Sequence, residues 1–117
     1  MSLIAVEAAS VVADASRRDE VLALSAPHQA ATRIEEPGCL VYCFAPDPIQ
    51  ADLIQVYELW ADEESLAAHF LHANYHAMRV ALGTAGLASA VSRKHRIDAT
   101  APVYGSDFQP SASFGDA

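Results

Sequence analysis

Two short runs in the middle of the chain constrain the fold most: "CLVYCFA" at 39–45 and "LIQVYELW" at 53–60. Both are rich in β-branched and aromatic residues, and "PDPIQAD" (46–52) separates them. Such a pair of strands joined by a turn-forming segment makes a hairpin. A segment of helical composition flanks it on each side. In "DASRRDEVLALSAPHQAATRIEE" (14–36), Asp14 or Ser16 can cap the start, and Asp19 and Glu20 suit the first turns. Val21, Leu24, His28 and Ala31 fall at helical spacing. Pro27 lacks an amide proton and predicts a kink or short break near Ala26, and Pro37-Gly38 stops the helix. After the hairpin, Asp62 caps a helix through "EESLAAHFLHANYHAMRVAL", with Glu63 and Glu64 in its first turn. A break near Asn74 is expected, and Gly83 and Gly86 end the helix.

The outer segments read as strands. "LIAVEAASVVA" (3–13) is Val-, Ile- and Ala-rich, and "LASAVSRKHRIDATAPV" (87–103) reads as a long strand with a charged middle, hence a solvated face or an edge. The order β-α-β-β-α-β predicts an α+β, ferredoxin-like fold: a four-stranded antiparallel sheet with both helices on one face. The other sheet face is then bare, and burying it against a second copy predicts a homodimer. Residues 1–103 form one domain. Residues 104–117, "YGSDFQPSASFGDA", form a polar tail whose Tyr104, Phe108 and Phe114 are expected to dock on the body or on a partner subunit.

The formal charge of −8 argues against nucleic-acid or anionic-membrane binding. The N-terminal run has no basic n-region, its first cation being Arg17, so a cytoplasmic protein is expected. Cys39 and Cys43 are too far apart along a strand for a disulfide, and their even offset predicts one shared sheet face. They read as buried, unreactive thiols.

The residues that invite chemistry centre on His69, at the edge of the helical stripe Leu66, Phe70, Ala73. A partly desolvated imidazole there is either a core histidine bonded to a backbone carbonyl or a general base. Trp60 ends a strand and offers an aromatic wall or simple packing. Glu58 shares its sheet face with Trp60, and Tyr42 on the hairpin partner reaches the same face. His72, Tyr75, His76 and Arg79 form one polar stripe if the helix is unbroken. Arg79 would hold a carboxylate or oxyanion, or else a surface ion pair. His69, His72 and His76 invite a metal reading, but solvated helix histidines are common and no Cys or carboxylate at ligand spacing supports the set. His28, beside Pro27, is read as a helix-face or capping residue.

"EEPGCLVYCF" followed by "YELWADEESLAAHF" resembles the antibiotic biosynthesis monooxygenase domain family over about residues 3–98. The shared pattern is acidic-Pro-Gly-Cys with a Tyr three residues on, then Glu-x-Trp and a His-Phe on the next helix. The resemblance implies a dimeric ferredoxin-like domain. Its oxygenases work without flavin or metal on phenolic or quinol-type aromatics with O₂. The haem-degrading members use a first-strand Asn, a helix Trp and a His ten residues later. Here the first strand has no Asn, and those helix positions hold His69 and Arg79, so that branch is set aside. The resemblance thus implies no cofactor, His69 as base, Trp60, Tyr42 and Phe70 as walls, and Glu58 or Arg79 as polar anchors, in a small cavity between sheet and helices. The competing expectations are a non-enzymatic ligand-binding or structural dimer, and an isomerase or decarboxylase using the same cavity.

Overall fold

A computed structural model describes residues 2–115. The elements follow as β1 (Ile4–Val12), a 3-10 turn (Ala15–Arg17), α1 (Arg18–Glu35), β2 (Cys39–Pro46), β3 (Leu53–Trp60), α2 (Glu63–Leu71), α3 (Ala73–Gly83) and β4 (Leu87–Arg96). The strands form one antiparallel sheet in the order β2-β3-β1-β4, the ferredoxin-like arrangement. No helix among the described residues is long and apolar enough to cross a membrane.

Register separates the two faces. One face carries the transverse rows Cys39–Trp60–Ile4–Arg96, Tyr42–Glu58–Val6–Lys94 and Phe44–Val56–Ala8–Ser92. Over β2 and β3 this face is packed under the helices. The core there joins Ile4, Tyr42, Trp60, Leu66 and Met78 to a second cluster of Val12, Val21, Ile54, Val56 and Ala85. The opposite face carries the rows Cys43–Tyr57–Glu7–Arg93 and Ala45–Gln55–Ala9–Val91, and no helix among the described residues covers it.

Several expectations are corrected. Pro27 lies inside an unbroken α1. Pro27 and Ala23, whose carbonyl loses its helical partner, are both exposed, so the missing bond falls on the solvent side of the helix. The stripe α1 buries is Val21, Ser25, Gln29 and Thr32, while Leu24 is exposed. The polar members are satisfied: Ser25 Oγ donates to the Leu22 carbonyl, and Thr32 Oγ1 donates to that of His28. Gln29 exchanges two hydrogen bonds with the Phe44 backbone, and Arg33 Nε donates to the Tyr42 carbonyl at 2.8 Å. Helix α1 thereby seals the free edge of β2.

The helical break comes at His72, two residues before Asn74, because the His72 ring caps α3: its Nδ1 accepts from the Asn74 amide at 3.0 Å. Strand β4 ends at Arg96 rather than reaching residue 103. A register shift between Cys39 and Val41 sets the cysteines on opposite faces. Cys39 pairs with Trp60 toward the helices, and Cys43 pairs with Tyr57 on the open face. The even-offset rule fails because a bulge adds one residue. The tail folds on itself through a Tyr104–Pro110 bridge, with Tyr104, Phe108 and Phe114 all exposed. Residues 116–117 lie outside the described part.

Candidate active site

His69 projects from the last turn of α2 into the densest part of the core and is 1% exposed. Its ring packs against Trp60 with centroids 4.6 Å apart, against Tyr42 at 5.3 Å and Tyr75 at 5.4 Å, and against Phe70 at 6.0 Å. Its polar partner is Glu36, which sequence reasoning missed: Nδ1 lies 2.9 Å from Glu36 Oε1. The second carboxylate oxygen accepts from Asn74 Nδ2 at 3.1 Å. Glu36 is also the C-cap of α1, its amide donating to the Thr32 carbonyl. Three elements thus converge on one carboxyl group: the end of α1, the end of α2 and the start of α3.

Local sequence builds this convergence. "EEPG" ends α1 and turns the chain into β2. Gly38 lies against Ser65, so a Cβ there would run into the Ser65 side chain. Asp62, whose carboxylate accepts from the Ser65 amide at 2.8 Å, starts α2 at that contact and sets the phase that turns His69 inward. The signal available in the sequence was Glu36 itself, an acid directly before a helix-stopping Pro-Gly and opposite an apolar strand.

Burial lowers the His69 pKa, and the Glu36 hydrogen bond opposes this only in part. The imidazole is therefore neutral near neutral pH, with Nδ1–H donating to Glu36 and Nε2 left as the basic nitrogen. Among the described residues Nε2 has no hydrogen-bond partner, yet no fully buried side-chain nitrogen or oxygen there lacks one. Nε2 thus keeps a small exposure. Ring geometry directs it away from Glu36.

Glu58 accepts from Trp60 Nε1 at 3.0 Å, both side chains being buried. Burial pushes the Glu58 carboxyl up to about 6, against the lowering effect of the Trp60 bond and with a smaller contribution from Glu36. Burial, then Glu58, raises the Tyr42 phenol. Burial, then Glu36 and Glu58, pushes the Cys39 thiol up to about 11, which keeps it protonated. Tyr42, Glu58, Trp60 and His69 thus come together, with Phe70 at the rim, 46% exposed. Arg79 does not join them: it is exposed on α3, its guanidinium 5.8 Å from the Tyr75 ring centroid. His76 is exposed beside Tyr75, and the carbonyl of His28 serves Thr32. Among the described residues no three His, Cys, Asp or Glu side chains form a metal-binding set.

Two hollows flank the helix that carries His69. A hollow of about 180 Å³ between Glu36, Gly38, Trp60, Ser65 and His72 opens beside its carboxylate partner. A groove of about 420 Å³ runs on the other side of α2, between Ala67, Phe70, Ile4 and β4. A further hollow, of about 470 Å³, lies on the open sheet face, away from the histidine.

Comparison with known proteins agrees with this architecture. Solved structures of similar fold include a Caulobacter crescentus protein whose assignment as an antibiotic biosynthesis monooxygenase is itself provisional. It is 26% identical, with 86% of this chain and 92% of that chain covered and a TM-score of 0.73. A Deinococcus radiodurans protein with the same provisional assignment is 19% identical over 86% of this chain and 99% of that one, with a TM-score of 0.72. A conserved protein from Methanosarcina mazei is 22% identical over 82% and 93%, with a TM-score of 0.70. The last two speak for the fold alone. No curated protein matches the chain. The family model described as antibiotic biosynthesis monooxygenase matches residues 4–81, from β1 into α3 and across the whole Glu36–His69 cluster. The chain belongs to the antibiotic biosynthesis monooxygenase family.

Proposed function

We propose that this protein is a cofactor-independent monooxygenase that oxidises a phenolic or quinol-type aromatic with O₂. The observation that carries the reading is the Glu36–His69 pair, a neutral imidazole held by a carboxylate at 2.9 Å within an aromatic cage. His69 is the base. A neutral phenol is a poor electron donor to O₂, and its anion is a far better one, so removing the phenolic proton is the step the protein must promote. The oxidised ring takes one oxygen atom and the other leaves as water. A phenol plus O₂ becomes a para-quinone plus water, with both electron pairs drawn from the substrate. Trp60, Tyr42 and Phe70 form the walls, and Glu58 anchors Trp60. Arg79, through Tyr75, stands at the outer edge.

The test is oxygen uptake with a panel of hydroquinones and polycyclic phenols. His69→Ala is expected to lower turnover by about 10²–10⁴-fold, the usual contribution of a positioned base. Activity should fall only below the ordinary histidine range, because the lowered pKa keeps the imidazole unprotonated down to more acidic pH. Equal rates in the two proteins would remove His69 from the chemistry. The second reading, a ligand-binding or structural dimer, draws support from the burial of His69, which is 1% exposed. Oxygen uptake no faster than the uncatalysed rate across the panel would favour it. Turnover that persists without O₂ would favour an isomerase or decarboxylase.

A further inference from the structure

The helix-side face of the sheet does not end where the helices stop. The row that holds Tyr42 and Glu58 continues through Val6 to Lys94, and the row that holds Trp60 continues through Ile4 to Arg96. With strands about 4.8 Å apart, Lys94 stands two strands, or about 10 Å, from Glu58 on the same face. Every residue of β4 is exposed. The outcome is the groove of about 420 Å³ between α2 and β4. Ile4, 4% exposed, is its floor, and Ala67 and Phe70 are its apolar wall.

Charge marks the groove. The chain has seven Lys and Arg against fifteen Asp and Glu, yet three of the seven lie at 93–96, as Arg93, Lys94 and Arg96. Two of these are engaged: Arg93 with Glu7 on the open face, and Arg96 with Glu63 at the end of the groove, 2.7 Å apart. Among the described residues Lys94 has no carboxylate partner. It therefore presents a free ammonium beside an exposed aromatic wall, and Phe70 in turn lies 6.0 Å from the His69 ring.

We propose that this groove binds an aromatic carboxylate, with its ring on Ile4, Ala67 and Phe70 and its carboxylate on Lys94. This deepens the oxygenase reading, and as a statement about substrate class it rests on that reading. The acidic body repels an anionic ligand elsewhere, so one free lysine supplies selectivity as well as attraction.

The test is anaerobic calorimetry with 1-hydroxy-2-naphthoate and 1-naphthol, which differ by the carboxylate alone. Wild type is expected to bind the naphthoate about two- to fivefold more tightly than the naphthol, the range for one exposed ion pair. Lys94→Gln should abolish that preference and leave naphthol binding unchanged. Phe70→Ala should weaken both ligands. His69→Gln should retain the preference, which separates recognition from chemistry: a protein that discriminates the pair but consumes no O₂ keeps the site and loses the oxygenase reading. Equal affinity in wild type, a preference that survives Lys94→Gln, or no measurable naphthoate binding would each overturn the proposal.

Discussion

At the scale of single residues, the core holds two carboxyl groups whose treatment differs. Glu36 receives donors on both oxygens, from His69 and Asn74. Among the described residues Glu58 receives only the Trp60 indole N–H, and burial leaves its pKa near 6 against an ordinary 4.5. A folded-state pKa above the unfolded one gives a stability contribution that is full below about pH 4.5 and is lost as pH rises through about 6. That difference corresponds to about 2 kcal/mol. Glu58→Gln keeps the acceptor for Trp60 and removes the titration. Urea unfolding at pH 4.5 and 7.5 should show the variant gaining about 2 kcal/mol on wild type between the two conditions, and an unchanged difference would contradict a buried, uncompensated Glu58. The sequence placed Glu58, Trp60 and Tyr42 on one face because strand periodicity is short-range information. It did not reveal Glu36 as the partner of His69, because that contact spans thirty-three residues and depends on how α1 meets α2.

At the scale of elements, the two edges of the sheet are treated differently. The β2 edge is closed by side chains of α1, and β4 is exposed throughout. Gln29 acts as a short piece of strand: its carbonyl accepts from the Phe44 amide at 2.9 Å, and its amide donates to the Phe44 carbonyl at 3.3 Å. Gln29→Leu keeps the volume but strands both backbone groups, each in a partly buried site. It should cost about 1–3 kcal/mol, the range for an unsatisfied buried polar group, read from chemical denaturation with circular dichroism. A loss well under 0.5 kcal/mol would show that water already serves this edge. This polar stripe explains why the buried face of α1 was misread from sequence. Hydrophobic periodicity finds Leu24 and Ala31, whereas the face that packs is chosen by hydrogen bonds to a strand edge. The order and type of the elements were legible because each is long and bounded by Pro, Gly or Asp. The Cys39–Val41 bulge and the cap at His72 were not, because both are decided by tertiary contacts.

At the scale of the whole molecule, the open sheet face is what the fold leaves unfinished. Cys43, Ala45, Tyr57, Ala9 and Val91 lie on it around a hollow of about 470 Å³, with Glu7 and Arg93 paired at its rim. Small side chains at the centre let another surface approach closely, and a charged rim sets the register. A second copy of the same face meets both conditions, since a two-fold axis places each hollow opposite its equal. A stable association needs about 800 Å² from each partner, which a four-stranded face can supply. The exposed Tyr104, Phe108 and Phe114 of the tail are then available to a neighbour, Phe108 being 82% exposed. Light scattering at micromolar concentration should give the mass of a dimer. Ala9→Arg, at the centre of the face, should give a monomer with an unchanged far-ultraviolet spectrum, and removal of residues 104–117 should weaken the dimer. The Ala9→Arg monomer also separates assembly from chemistry: the Glu36–His69 pair lies on the opposite side of the sheet, so each subunit should keep its own site. A wild-type protein that stays monomeric at these concentrations would refute the dimer, and a dimer unmoved by Ala9→Arg would place the interface elsewhere, with the exposed edge of β4 as the next surface to disrupt.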